Sequence, residues 1–140
     1  MASISINHVP LTVLDVDEAL AFYRDALGFT VLSDVANGGF RWVSLGGSDG
    51  AGTSLVLSAP GAGRSAADAQ ALAELVAKGA IGPLVLSTND LDKVFETLSA
   101  SGAEVLQEPM DQPWGPRDCA FRDPSGNMVR INQAVQGEEA

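Results

Sequence analysis

Apolar and polar positions alternate through "SISINHVPLTVL", which predicts a strand over Ser3–Leu14. The period then lengthens. "VDEALAFYRDALG" sets Val16, Leu20, Tyr23 and Leu27 on one helical face, with Asp15 as N-cap, Glu18 three residues on as in a capping box, and Gly28 as C-cap. Alternation resumes in "FTVLSDV", "FRWVSLG" and "TSLVLSAP". Asn37-Gly38-Gly39 marks a hairpin between the first two of these, and the glycine-rich "GGSDGAG" turns between the second and third. These elements run β-α-β-β-β.

After the break "APGAG", an alanine-rich helix is predicted over "SAADAQALAELVAKG", with Ser65 as N-cap and Gly79 as C-cap. The first pattern then returns. "GPLVLSTN" is a strand, Asp90 caps the helix "LDKVFETLSASG", and "AEVLQEP", "WGPRDCAFR" and "NMVRINQ" are strands. The halves also align residue by residue. Asp15 falls on Asp90, Asp17 on Asp92, Gly28 on Gly102, Arg41 on Arg117, Val56 on Arg130 and His8 on Pro83. The expected organisation is a βαβββ module over 1–62, a connecting helix over 63–80, a second βαβββ module over 81–134 and an acidic tail over 135–140. Either half alone is too short to bury much core. The fold class is therefore α+β: tandem βαβββ modules whose cup-shaped mixed sheets combine, with helices outside.

Strand alternation sorts the two faces. Val9, Leu11, Val13, Val43, Leu45, Leu55, Leu57, Leu84, Leu86, Cys119, Phe121, Val129 and Ile131 form an apolar face for the helices. The opposite face mixes His8, Pro10, Thr12, Phe40, Trp42, Ser44, Ser54, Val56, Pro83, Val85, Ser87, Asp118, Ala120, Met128, Arg130 and Asn132. Apolar walls with a few polar groups suit a ligand cavity. A single bulge would invert part of this sorting.

Composition narrows the function. The 140 residues carry 18 acidic and 8 basic side chains, a net charge of −10. Such a chain repels phosphate backbones, so no nucleic-acid partner is expected. No apolar run reaches membrane-spanning length and no basic segment precedes an apolar one, so neither a membrane partner nor a leader is expected. The single cysteine, Cys119, allows no intrachain disulfide and fits a cytoplasmic location. The lone histidine and the lack of a nucleophile elbow leave a Ser-His-acid triad little support. "GGSDGAG" lacks the Lys-Ser/Thr of a phosphate loop. Asp15, Asp17, Asp90 and Asp92 suit helix starts, where acids complement the dipole.

The stretches "HVPLTVLDVDEALAFYRDALGF", "LVLSTNDLDKVFETLSASGAEV" and "QPWGPRDCAFRDPSGNMVRI" resemble the vicinal oxygen chelate superfamily. That superfamily includes glyoxalase I, fosfomycin-resistance enzymes, extradiol dioxygenases and bleomycin-resistance proteins. The resemblance extends from about His8 to Ile131 and implies a homodimer, whose cavities often lie between modules of different chains. In the metal enzymes of the family, ligands lie on the first and last strands of each module. Here those positions are His8, Val56, Pro83 and Arg130, and only His8 has a ligand atom to offer. No metal and no cofactor are expected. The "QPWG" stretch is similar to that of metal-free, drug-binding members, which use aromatic stacking in dimer clefts.

The expected function is metal-independent small-molecule binding, with sequestration of a toxic or antibiotic compound as one form of it. The alternative is a glyoxalase-like lyase or isomerase, or a dioxygenase, with a non-standard or absent metal site. The expected ligand-binding residues are His8, Phe40, Trp42, Val56, Trp114, Asp118, Met128, Arg130 and Asn132. Candidate catalytic residues are His8 and Arg130, with Glu108 and Asp118 as nearby acids. His8 has a packing reading beside its acid-base one, and Trp42 a dimer-contact reading beside its ligand one. Arg130 either pairs with Asp118 to close a former metal site or directs its donors at ligand oxygens.

Overall fold

The computed structural model describes residues 2–48 and 52–135. The chain forms two compact units, Met1–Glu74 and Leu75–Ala140. In the first, strands β1 (His8–Thr12), β2 (Thr30–Asn37), β3 (Phe40–Gly46) and β4 (Ser54–Ser58) form a mixed sheet of order β1-β4-β3-β2. In the second, β5 (Leu84–Thr88), β6 (Glu104–Asp111), β7 (Arg117–Arg122) and β8 (Met128–Gln133) repeat the arrangement as β5-β8-β7-β6. In each sheet the first strand runs parallel to the last, and the other pairs are antiparallel. The α+β class and the duplicated βαβββ order are thus observed.

The predicted caps account for the helix starts. Asp15 Oδ1 accepts from the Glu18 amide at 2.9 Å ahead of α1 (Val16–Leu20). Asp90 Oδ1 accepts from the Lys93 amide at 3.2 Å ahead of α3 (Leu91–Ala100). The duplication extends to ion pairs: Arg41 Nη1 lies 2.7 Å from Asp17 Oδ1, and Arg117 Nη1 lies 2.8 Å from Asp92 Oδ1. In both units the arginine near the start of the third strand holds the second residue of the helix. Ser65 Oγ accepts from the Asp68 amide at 3.1 Å before α2 (Ala66–Ala77).

Each unit has its own core. Val13, Leu20, Tyr23, Val43, Leu45 and Leu57 are buried in the first. Leu91, Leu98, Cys119, Phe121, Val129 and Ile131 are buried in the second, with the Phe95 and Phe121 rings 5.5 Å apart. The end of α2 seats on the β7–β8 turn. A Cβ on Gly126 would lie 2.6 Å from the Val76 carbonyl oxygen and 2.5 Å from that of Ala77. The turn is built around Asp123, whose Oδ1 accepts from the amides of Ser125, Gly126 and Asn127 at 2.9, 3.0 and 2.9 Å.

Several expectations need correction. The first strand spans His8–Thr12, and residues 2–7 lie outside any regular element. Val9, assigned to the core, is 42% exposed because it lies on an edge strand. The helix after Asp15 does not remain α: Ala21–Ala26 is π-helical, with the Leu27 amide donating to the Phe22 carbonyl. β6 runs past Pro109, where the sequence reading ended it. "WGPRDCAFR" becomes strand only from Arg117. The centre of "GGSDGAG" and residues 136–140 of the acidic tail lie outside the described residues.

Candidate functional site

Two bulges decide what occupies the sheet face opposite each helix. In the second unit, Val105 pairs with Phe121, but Gln107 pairs with Ala120. Uninterrupted pairing would have set Gln107 opposite Cys119, on the core side. The extra residue turns it to the other face, beside Asp118 and Arg130. The first unit repeats the irregularity: Val31 pairs with Leu45, and Ser33 with Ser44. Equivalent positions therefore carry Gln107, Asp118 and Arg130 in one unit and Ser33, Trp42 and Val56 in the other. The same backbone frame presents a polar cluster once and an apolar, aromatic surface once.

The polar cluster is tightly bonded. Arg130 Nη1 donates to Asp118 Oδ2 at 2.8 Å and to Gln107 Oε1 at 3.1 Å. Asp118 Oδ1 accepts from Gln107 Nε2 at 2.9 Å and from Gln112 Nε2 at 2.8 Å. Gln112 also donates to Gln107 Oε1 at 3.2 Å. Asp118 is 1% exposed. Burial pushes its pKa up, but the hydrogen bonds from Gln112, Arg130 and Gln107, together with the Arg130 charge, outweigh that and hold it below the ordinary aspartate value. The carboxylate is thus ionised at neutral pH. The Arg130 side chain keeps 26% of its surface open, and its Nε and Nη2 have no hydrogen-bond partner among the described residues. No buried side-chain polar atom among those residues is left without a partner, so these nitrogens reach the surface. Glu108 is exposed and makes no ion pair with Arg130.

Farther along the same face, Asn132 is the register partner of both Ser87 and Asp118. Neither the Asn132 carboxamide nor the Ser87 hydroxyl has a hydrogen-bond partner among the described residues. A groove of about 670 Å³ opens there, lined by Ser87, Pro116, Arg117, Asn132, Gln133 and Val135 among others. Of the residues expected from sequence to bind ligand, Asn132 lines this groove. Met128 lies two positions before Arg130 on the same face and is half-buried. Trp114 stands 74% exposed on the β6–β7 turn, next to the groove residue Gly115.

The remaining candidates belong to the first unit. The Phe40 and Trp42 rings are 6.5 Å apart and inclined at 66°, an edge-to-face contact. Phe40 is 37% exposed and lies against Gly61, whose Cβ, if present, would lie 3.0 Å from the ring. Val56 is 9% exposed on β4. His8 is exposed at the start of β1, its Nδ1 3.1 Å from Asn7 Oδ1, so it is not a packed core histidine.

Gln107 and Gln112 were missed in the sequence. The usable signal was Pro109, since proline within a strand marks an edge or a bulge. Cys119 behaves as expected: it is fully buried, and burial followed by the nearby Asp118 charge pushes its thiol up to about 11. Among the described residues no group of three His, Cys, Asp or Glu side chains is placed to hold a metal ion. No helix among them is long and apolar enough to cross a membrane.

The Glyoxalase/Bleomycin resistance protein/Dioxygenase superfamily matches residues 5–131. The chain belongs to that superfamily. Among solved structures, UcmS2 superposes with a TM-score of 0.85 at 34% identity, covering 95% of this chain and 100% of that one. TnmS3, described as an antibiotic binding protein from Streptomyces sp. CB03234, superposes at 0.74 with 30% identity, covering 96% and 99% of the two chains. The uncharacterized protein YurT of Bacillus subtilis (strain 168) is 32% identical over 123 residues, 86% of this chain and 92% of its own.

Proposed function

We propose that this protein binds a small organic molecule without a metal, on the second-unit sheet face that carries the Arg130 cluster. The observation that carries the reading is the Arg130–Asp118 contact of 2.8 Å. At the place where metal-dependent members of the superfamily hold a ligand, this chain sets a permanent cation already engaged by a buried carboxylate. Val56 has no donor atom, and the Pro83 ring has none. His8 alone would hold a divalent ion weakly. The available donors do not fit a metal, and no chemical step is assigned to one.

The surrounding surface supports binding. Farther along β8 from Arg130, which does not line it, the groove at Asn132 has a volume of about 670 Å³, within the range of small-molecule pockets, roughly 300–1,000 Å³. Arg130, Asn132 and Ser87 offer unengaged polar groups on that face. Similarity to an antibiotic binding protein over nearly the whole of both chains supports an antibiotic-like compound as ligand and sequestration as the role. The superfamily's dimer cleft and a cytoplasmic location belong to the same proposal.

The test is a melting-temperature screen of the chain against polycyclic and peptide antibiotics, run in chelator, with tryptophan fluorescence as second readout. A compound present at about 100 times its Kd should stabilise by about 2.7 kcal/mol. Shifts that appear only after addition of zinc, nickel, iron or manganese would overturn the reading.

A further inference from the structure

The Arg130 cluster points to a definite ligand chemistry. We propose that Arg130 receives an uncharged oxygen acceptor of the ligand, such as a ketone carbonyl, and discriminates against carboxylates and phosphates. The proposal rests on the binding function above and deepens it.

The argument begins with charge. Arg130 and Asp118 are bonded at 2.8 Å, so the pair is neutral as a whole. Asp118 is buried and ionised, and both its oxygens already accept hydrogen bonds. What remains open is donor capacity: Arg130 Nε and Nη2 have no hydrogen-bond partner among the described residues. A guanidinium held by a carboxylate on one edge is a fixed, polarised pair of N–H groups on the other. A carbonyl oxygen gains a charge-assisted bond there at a small desolvation cost.

An anion fares differently. It must shed a larger hydration shell, and the attraction of the guanidinium is offset by the Asp118 carboxylate behind it. The chain's net charge of −10 adds to that cost. The neighbouring Asn132 carboxamide and Ser87 hydroxyl are uncharged too, so that face carries no surplus cation to hold an anion. Arg117, at the groove wall, is paired with Asp92 at 2.8 Å.

The experiment compares three tricyclic probes of similar size: 9-fluorenone, fluorene and fluorene-9-carboxylate. Binding to the intact chain is measured by equilibrium dialysis at pH 7. The ketone should bind the wild-type chain more tightly than either of the others. Asp118→Asn leaves the Arg130 charge uncompensated and should move the carboxylate-to-ketone affinity ratio toward the anion by at least about tenfold. Arg130→Met should reduce the ketone to the affinity of the hydrocarbon. Should either variant fail to fold, the wild-type order of the three probes still decides the question. A wild-type chain that binds the carboxylate tightest, or an Asp118→Asn chain with an unchanged ratio, overturns the ligand assignment while leaving the binding function intact. Failure of all three to bind overturns the site itself.

Discussion

Replacing Arg130 by Met removes the cation from a carboxylate that is 1% exposed. Breaking a fully buried ion pair from one side costs about 3–5 kcal/mol, because the remaining charge is stranded. Two features reduce that figure here. The Arg130 side chain is 26% exposed, so part of its charge is solvated in the folded chain. Gln107 and Gln112 still donate to Asp118 Oδ1, at 2.9 and 2.8 Å. The expected loss is therefore about 2 kcal/mol. For a chain of this length that corresponds to a fall of about 6 °C in Tm.

Urea and thermal unfolding at pH 7 measure this loss directly, and pH supplies a signature. The folded pKa of Asp118 lies below its ordinary value of 3.8. Its stabilisation is then fully present above that ordinary value and is lost as pH falls through the lower, folded one. Removing Arg130 takes away one of the groups that depress it. The difference between wild type and variant should shrink in acid, below pH 3.8. A loss under about 0.5 kcal/mol at pH 7, or a difference constant down to acid pH, would refute the idea that the pair is buried, ionised and mutually stabilising.

Other consequences can be checked in the same way. Asp15→Ala and Asp90→Ala should each cost about 1 kcal/mol in urea unfolding, because each carboxylate caps a helix amide. Gly126→Ala should cost more than about 3 kcal/mol: its φ is +113° and a Cβ would lie 2.5 Å from the Ala77 carbonyl oxygen. Cys119, fully buried with its thiol pushed up to about 11, should resist an aromatic disulfide reagent at pH 8 in the folded chain and react at once in denaturant.

Much of the frame was legible in the sequence because each part had a local cause. Asp15 and Asp90 announced helix starts, and the observed hydrogen bonds are those of caps. Asn37-Gly38-Gly39 specified a tight hairpin, and both glycines have positive φ. The alignment of the halves paired Arg41 with Arg117 and Asp17 with Asp92, and these residues form equivalent ion pairs. The Asp118–Arg130 pair followed from alternation, because β7 and β8 pair without a bulge.

The site was less legible where register shifts intervene. Gln107 was invisible as a site residue because alternation assigns it to the core face, and only the bulge brings it round. Gln112 lies beyond β6, and a loop residue has no periodicity from which to read its direction. Trp114 reads in sequence as part of a Gln-Pro-Trp-Gly-Pro turn at a strand start, and the Gly115 amide closes that turn on the Gln112 carbonyl, with the strand itself beginning only at Arg117. The π-helical stretch after Leu20 has no distinct signature, since Val16, Leu20 and Tyr23 fit an α-helical face equally well. Val9 shows that an apolar residue on an edge strand can satisfy the pattern and still be exposed.

The central claim is that the second-unit cluster binds an organic molecule without a metal. The most direct test takes one compound found to bind and titrates it against the chain, first stripped with chelator and then supplied with zinc, nickel, iron or manganese, with bound metal counted by elemental mass spectrometry. The prediction is one Kd in every sample and metal far below one ion per chain. Stoichiometric metal, with binding lost on chelation and restored on reloading, would contradict it.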